Sequence, residues 1–149
     1  MSVKQELYQQ CEAILNQRLK TIQHTIADIQ HSLLSETKSS AGDKHETGRA
    51  MLQLEREKAG QQLAELQTQI KILQKVNPEQ SHQNVALGSV VKTSVSNYFI
   101  SVSVGEIKAN NQSFYGISAA TPIGKLLLSK RIGDTITFRS QNFTILEIE

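Results

Sequence analysis

The sequence predicts an α+β protein in which an N-terminal antiparallel α-helical coiled-coil hairpin is followed by a small α+β domain. Two observations support this division. Twelve glutamines lie within the first 76 residues, whereas six of the seven aromatic side chains lie after residue 90. Apolar residues recur every three or four positions in the first half and every second position after Ser89, which are the periods of helices and strands.

The first helix is predicted from large aliphatic residues that alternate at spacings of four and three. This spacing places an apolar stripe along one side of a helix from about Leu7 to Ser35. The stripe consists of Leu15, Leu19, Ile22, Ile26, Ile29 and Leu33.

A second stripe repeats this spacing and predicts a partner helix. Arg56 occupies one position where an apolar residue is expected. Between the stripes, residues 35–48 contain Ser, Thr, Gly and charged residues but no apolar side chain larger than that of Ala41. The chain can reverse there, so the hairpin is assigned to residues 1–77 with its tip near 39–48. The second stripe consists of Leu52, Ala59, Leu63, Leu66, Ile70 and Leu73.

The second helix is predicted to end at Asn77 and Pro78, because proline cannot continue the helical hydrogen bonds. Residues 78–86 are assigned to a linker and residues 87–149 to the C-terminal domain. Alternating β-branched and aromatic residues predict strands within 91–95, 99–104, 135–138 and 143–148. Thr121 followed by Pro122 predicts the start of one short helix between them.

The overall composition mainly excludes certain classes of protein and of binding site. The formal charge of +2 gives no basis for nucleic-acid binding through a basic surface. Cys11 is the only cysteine, which excludes a cysteine-based zinc site and an internal disulfide. No apolar run approaches the roughly 20 residues of a membrane span, and the residues after Met1 do not resemble a secretory leader. We expect a cytoplasmic protein without membrane contact, and a monomer, because a hairpin covers its own apolar stripes.

Sequence motifs of autonomous catalysis are not found. The chain contains no P-loop, no dinucleotide-binding glycine pattern, no nucleophile elbow and no HExxH motif. His24 and His31 share one helix side, and we interpret them as part of a solvated surface rather than as a zinc site. The protein is therefore not expected to catalyse a reaction alone.

The densest cluster of chemically active residues lies at the predicted tip. Asp43 and Glu46 are three positions apart, so at the start of a helix their carboxylates share one side and could reach a single cation. Mg²⁺ often takes only one or two protein carboxylates and completes its octahedron with water or phosphate. The same spacing is also that of a capping box, in which Asp43 caps the helix and needs no function. Both interpretations stay open on the residues alone.

Several motifs together resemble one family. The run from Ala41 to Glu46, AGDKHE, resembles the GD-x-x-E element at the coiled-coil tip of bacterial Gre transcript cleavage factors. Residues 117–127, ISAATPIGKLL, are similar to that family's IS-x-x-(S/T)P-(L/I)GKALL signature. Residues 132–134, IGD, and 145–148, ILEI, are similar to its (V/I)GD and ILEIE signatures. The resemblance extends over nearly the whole chain and implies an FKBP-like fold for the C-terminal domain.

The resemblance also implies a function and a partner. It implies a transcription elongation factor that binds bacterial RNA polymerase, inserts its coiled coil into the secondary channel and stimulates cleavage of backtracked RNA. Asp43 and Glu46 would assist catalysis by helping to hold a second Mg²⁺, shared with the polymerase. The nascent RNA 3′ end would be steered by basic residues around the tip, namely Lys38, Lys44, Arg49 and Arg56.

The chain departs from the family pattern directly after Glu46. Where the family commonly reads ENAEY, this chain has Glu46-Thr47-Gly48-Arg49-Ala50, so the Asn, the second acid and the aromatic residue are missing. Two alternatives follow: a Gre-like polymerase binder that inhibits or modulates transcription without cleavage, or a coiled-coil interaction module outside transcription.

Overall fold

The computed structural model describes residues 1–38 and 43–149, and for residues 37, 38 and 43–45 it describes the backbone alone. It confirms the predicted fold class, a helical hairpin followed by a small α+β domain. The elements in chain order are α1 (Val3–Lys38), α2 (Asp43–Gln74), β1 (Val90–Thr93), β2 (Asn97–Ser101), β3 (Gly105–Ala109), β4 (Gln112–Ser118), α3 (Pro122–Leu127), β5 (Thr135–Phe138) and β6 (Gln141–Ile148). Across the described ranges, neither long helix has an apolar stretch sufficient to cross a membrane.

The chain packs as two compact units. One unit comprises Leu15–Gln69, and the other comprises Met1–Ile14 together with Ile70–Glu149. Packing thus groups the start of α1 and the end of α2 with the sheet. The boundaries drawn from the sequence, at residues 77 and 87, followed changes in composition and stay a prediction.

The hairpin unit buries the two predicted stripes. Leu15, Ile29, Ala59 and Leu66 are buried, with exposed fractions between 1% and 7%, and the remaining stripe residues between 15 and 69 are half-buried. Arg56, which interrupts the second stripe, is half-buried as well. The predicted seam is confirmed, because the residues chosen by spacing are those that the partner helix covers.

The second helix ends before the proline, as predicted. Its last turn is tightened by bonds from Lys75 N to the Ile72 carbonyl at 3.1 Å and from Val76 N to the Leu73 carbonyl at 3.0 Å. Such three-residue bonds are common where an α-helix closes. Val76 is buried at 5% exposure, so the chain leaves α2 already packed within its unit.

The sheet has six strands in the order β3-β4-β2-β1-β6-β5. Strands β2 and β4 are parallel, and all other neighbours are antiparallel. Two of these strands, β3 and β4, were not predicted. They form a hairpin through Asn110 and Asn111, whose φ angles of 53° and 61° suit a two-residue turn that matches the twist of the strands.

The last two strands form a hairpin of the same kind. Arg139 and Ser140 connect β5 to β6 with φ angles of 53° and 65°, in the left-handed region that usually selects Gly, Asn or Asp. The two-residue turn thus forms without glycine.

One side of the sheet carries an apolar core around the short helix α3. Leu127 of α3 is fully buried and belongs to a cluster with Val85, Val91, Ile100, Ile136, Phe143 and Ile145. Thr121 caps α3 as predicted, because its Oγ1 accepts a hydrogen bond from Gly124 N at 3.1 Å. The cap and the proline that follows it fix where the helix begins.

The first turns of α1 cover the opposite side of the sheet. The side chain of Cys11 is fully buried, and its Sγ lies 3.9 Å from Ser101 Oγ on β2. A Cβ placed on Gly116 of β4 would lie 3.8 Å from the same sulfur. Cys11 therefore packs over β2 and β4.

Burial makes the Cys11 thiol unreactive. Desolvation raises the pKa of this thiol from 9.0 to about 11, although the Ser101 hydroxyl opposes the shift. Only the thiolate reacts with alkylating agents. We expect iodoacetamide at pH 8 to label Cys11 at least about 100-fold more slowly in the native protein than in urea. Labelling at equal rates, followed by mass spectrometry, would show that the thiol is accessible.

A buried lysine in the first turn of α1 forms a hydrogen bond to the residues that follow α2, within the same unit. Lys4 is 4% exposed, and its Nζ donates to the Gln80 carbonyl at 2.5 Å. Burial lowers the pKa of Lys4, and the charge of Glu149 partly offsets this effect. The residues after α2 are thus held by side-chain contacts rather than left as a free connection.

Candidate functional site

The candidate site lies at the start of α2. The helix begins at Asp43, within the predicted tip at 39–48. Glu46 follows within the first turn and is exposed. Residues three apart in a helix lie on neighbouring positions of one side, so the backbone places the two predicted acids together. The side chain of Asp43, and with it the capping-box alternative, lies outside the described residues.

Arg49 is the best-defined basic residue of the predicted set. Its Nη1 donates a hydrogen bond to the main-chain carbonyl of Leu33 at 3.2 Å, across the hairpin from α2 to α1. The side chain is half-buried and borders a groove of about 360 Å³ with Gln30, Leu33 and Leu34. The structure therefore gives Arg49 a contact within the protein, and its predicted contact with RNA stays a prediction.

Arg56 lies one heptad further along α2, in the seam. A Cβ added to Gly60 would lie 3.1 Å from Arg56 Nη1, so the guanidinium extends along its own helix over the glycine. The missing side chain at residue 60 makes room for this arrangement. A steering role for Arg56 also stays a prediction.

Gly60→Ala is expected to stabilise the hairpin by about 0.5–1 kcal/mol, because alanine has the higher helix propensity. Among the described side chains, the new methyl group would meet the end of a flexible arginine at 3.1 Å, which can move aside. The change should raise the urea midpoint of helix unfolding measured by circular dichroism at 222 nm. A lower midpoint would show that the position of the Arg56 guanidinium stabilises the hairpin.

For the other two predicted basic residues, the structure describes the backbone but not the side chain. The side chains of Lys38 and Lys44 lie outside the described residues, as does that of His45. The chain reversal expected within 39–48 also falls partly outside them, at residues 39–42. The structure nevertheless ends α1 at Lys38 and begins α2 at Asp43, which puts all four named basic residues on the two helices.

The described residues do not enclose a metal ion. Over residues 1–36 and 46–149, whose side chains the structure describes, no group of three or more His, Cys, Asp or Glu side chains is arranged to hold one. His24 pairs instead with Asp28, at 3.4 Å between Nε2 and Oδ2, and both are largely exposed. A carboxylate pair at a helix start can supply two ligands to Mg²⁺, and another molecule would have to supply the others.

One side chain near the tip was not singled out from the sequence. A Cβ on Gly48 would lie 3.9 Å from the carboxylate of Glu36 on α1. The Glu36 side chain therefore extends across the hairpin to the second turn of α2.

The C-terminal motifs have definite structural roles. Gly124 is packed so closely that a Cβ would lie 2.9 Å from Thr121 Oγ1 and 3.0 Å from Ala119 Cα. Asp134 Oδ2 accepts a hydrogen bond from Arg131 N at 2.8 Å, and the intervening Gly133 has a φ of 92°. The TP-x-GK and IGD segments thus form a helix cap and a tight turn.

No protein-family model and no curated protein matches the chain. Solved structures that are similar to it include the following two. GreA factor homolog 1 (Gfh1) of Thermus thermophilus is 20% identical, with 95% of this chain and 94% of that chain covered and a TM-score of 0.35. A structure of the transcription factor Gfh1 is 21% identical, with 95% and 92% covered and the same TM-score of 0.35.

Proposed function

We propose that the chain is a Gre-like transcription factor. It binds RNA polymerase, inserts its helical hairpin through the secondary channel, and stimulates cleavage of backtracked nascent RNA. The observation that carries this proposal is the position of the acidic pair: Asp43 is the first residue of α2, and Glu46 is exposed in the same turn. The pair therefore lies at the end of a helical hairpin, where a second macromolecule can reach it.

The chemistry follows from an incomplete metal site. Hydrolysis of a phosphodiester by two metal ions needs one ion to activate water and another to stabilise the leaving oxygen. Asp43 and Glu46 would supply carboxylates to one Mg²⁺, and the polymerase and the RNA phosphate would supply its other ligands. The factor would stimulate the nuclease activity of the polymerase rather than hydrolyse RNA alone. In this proposal it acts as a cytoplasmic monomer.

The C-terminal domain supports the proposal through the packing of its motifs. The motifs shared with the Gre family form a capped helix with a fully buried Leu127 and a tight turn closed by Asp134. A docking domain must present its surface in one conformation, since ordering a loose surface on binding costs free energy. We assign polymerase docking to this domain.

The direct test uses stalled elongation complexes made with the cognate RNA polymerase. Backtracked complexes carrying 3′-labelled RNA are incubated with the purified protein and Mg²⁺, and the released 3′ fragments are resolved on a gel. Cleavage well above that of the polymerase alone supports the proposal. Polymerase binding without cleavage would contradict it, and failure to bind polymerase would favour an interaction module outside transcription.

A second candidate is a polymerase binder that modulates transcription without cleavage. It is favoured by the residues after Glu46, where Thr47-Gly48-Arg49 replaces the family's polar, small and acidic run. Arg49 is bonded to the Leu33 carbonyl, so this position carries a cross-helix contact instead of a second acid. Inhibition of RNA synthesis together with intact backtracked RNA in the same assay would select this candidate.

A further inference from the structure

The acidic pair must be held in place if it is to present two ligands to one ion. Glu46 is exposed, so packing around its own side chain does not fix it. Its position depends on how the first two turns of α2 are attached to α1. Ligand sets misplaced by about 1 Å lose much of their effect, so the residues that make this attachment matter for the proposed activity.

The hydrogen bond of Arg49 is such an attachment. Arg49 lies three positions after Glu46, on the next turn of the same helix. Its Nη1 reaches across to the Leu33 carbonyl at 3.2 Å in a partly buried setting. A charged donor makes a stronger bond than a neutral one, and the bond joins the side chain of one helix to the backbone of the other.

The Glu36 side chain of α1 lies beside this bond. Its carboxylate is 3.9 Å from where a Cβ of residue 48 would be. Position 48 is adjacent to Arg49, and Glu36 is three residues after Leu33 on α1. The Arg49 bond and the Glu36 side chain therefore both extend between the second turn of α2 and the same short stretch of α1.

We propose that Arg49 is a positioning residue that fixes the start of α2, and with it the acidic pair, through its bond to the Leu33 carbonyl. This inference rests on the proposed function for its biological meaning. In this inference, positioning of the acidic pair replaces the steering of RNA as the role of Arg49. Arg56, one heptad later, extends along its own helix towards Gly60 and provides a comparison within the same chain.

The first test uses the free protein and needs no polymerase. Arg49→Met keeps an unbranched apolar stem but removes the guanidinium. We expect the amides of residues 46–52 to exchange with deuterium on the order of 10-fold faster in this variant. Arg56→Met, which also loses one positive charge from α2, should leave exchange at 46–52 unchanged. Equal exchange in Arg49→Met and the wild type would overturn the inference.

The second test separates positioning from RNA contact. A lysine or arginine that contacts a phosphate contributes about one unit to the slope of log affinity against log salt. We expect Arg49→Met to lower the maximal cleavage rate about 10-fold while the affinity for the backtracked complex and its salt slope stay unchanged. Lys58→Met, which removes an exposed positive charge from α2, serves as the charge control and should behave like the wild type.

The outcomes can be told apart. A smaller salt slope in Arg49→Met, with exchange as in the wild type, would show that Arg49 contacts RNA and would overturn the inference. If the wild-type protein stimulates no cleavage, the proposed function fails, and the exchange comparison alone then decides whether Arg49 holds the start of α2.

Discussion

Gly124→Ala is expected to lower the free energy of unfolding of the sheet-containing unit by about 3 kcal/mol. Overpacking a well-filled site typically costs 1–3 kcal/mol, and here the new methyl group would meet backbone, which cannot rotate away. It would lie 3.0 Å from Ala119 Cα and closer still to the Ser118 carbonyl oxygen. The higher helix propensity of alanine recovers only part of this cost.

The measurement is urea unfolding followed by tyrosine fluorescence. The chain has no tryptophan, and its three tyrosines, Tyr8, Tyr98 and Tyr115, all belong to the unit that contains α3. Gly133→Ala is the matched control. No atom lies within 4 Å of its added Cβ, so it should cost only about 1 kcal/mol, from the φ of 92°. Equal losses in both variants would mean that the contacts around Gly124 relax without cost.

The elements that the sequence predicted well are those with local signals. The hairpin seam follows from the spacing of single residues such as Leu15 and Leu66, because a helix places residues three and four apart on one side. Helix α3 was predicted at its first residue, since Thr121 and Pro122 signal a helix start within two positions. Neither prediction needs knowledge of a distant part of the chain.

The elements that were missed depend on distant contacts. Strand β4 contains Gly116, which weakens the strand pattern, yet a Cβ there would lie only 3.0 Å from the Val102 carbonyl oxygen, so close packing favours glycine. The parallel pairing of β2 with β4, in which Phe99 lies opposite Gly116, cannot be read from either segment alone. Strand propensity predicts β-strands poorly where tertiary packing decides which residue fits a position.

The candidate site also combines local features, which the sequence predicts, with a contact between distant residues, which it does not predict. The sequence singled out Asp43 and Glu46 by their spacing of three, a local feature, and the structure has both in the first turn of α2. It assigned Arg49 and Arg56 to RNA by charge and proximity to the tip. The bond from Arg49 to Leu33 spans 16 positions in the chain, and only the pairing of the two helices reveals it.

Asp43→Asn is expected to reduce stimulated RNA cleavage on the order of 100-fold, if the proposed function holds, because the second Mg²⁺ loses a charged ligand. Asparagine caps a helix as well as aspartate does, so the start of α2 should be preserved while the carboxylate is removed. A capping role and a metal role thus predict different results for the same substitution. Glu46→Gln should produce a similar loss.

The measurement is the rate of fragment release from backtracked complexes over a range of Mg²⁺ concentrations. A weakened metal site should need more Mg²⁺ for half-maximal cleavage, while polymerase binding, assigned to the C-terminal domain, should be unchanged. Glu55→Gln removes the same charge from an exposed position of α2 and should cleave like the wild type. Asp43→Asn with wild-type cleavage at every Mg²⁺ concentration would reduce Asp43 to a helix cap, because the only property it lost is the charge that a metal ligand needs.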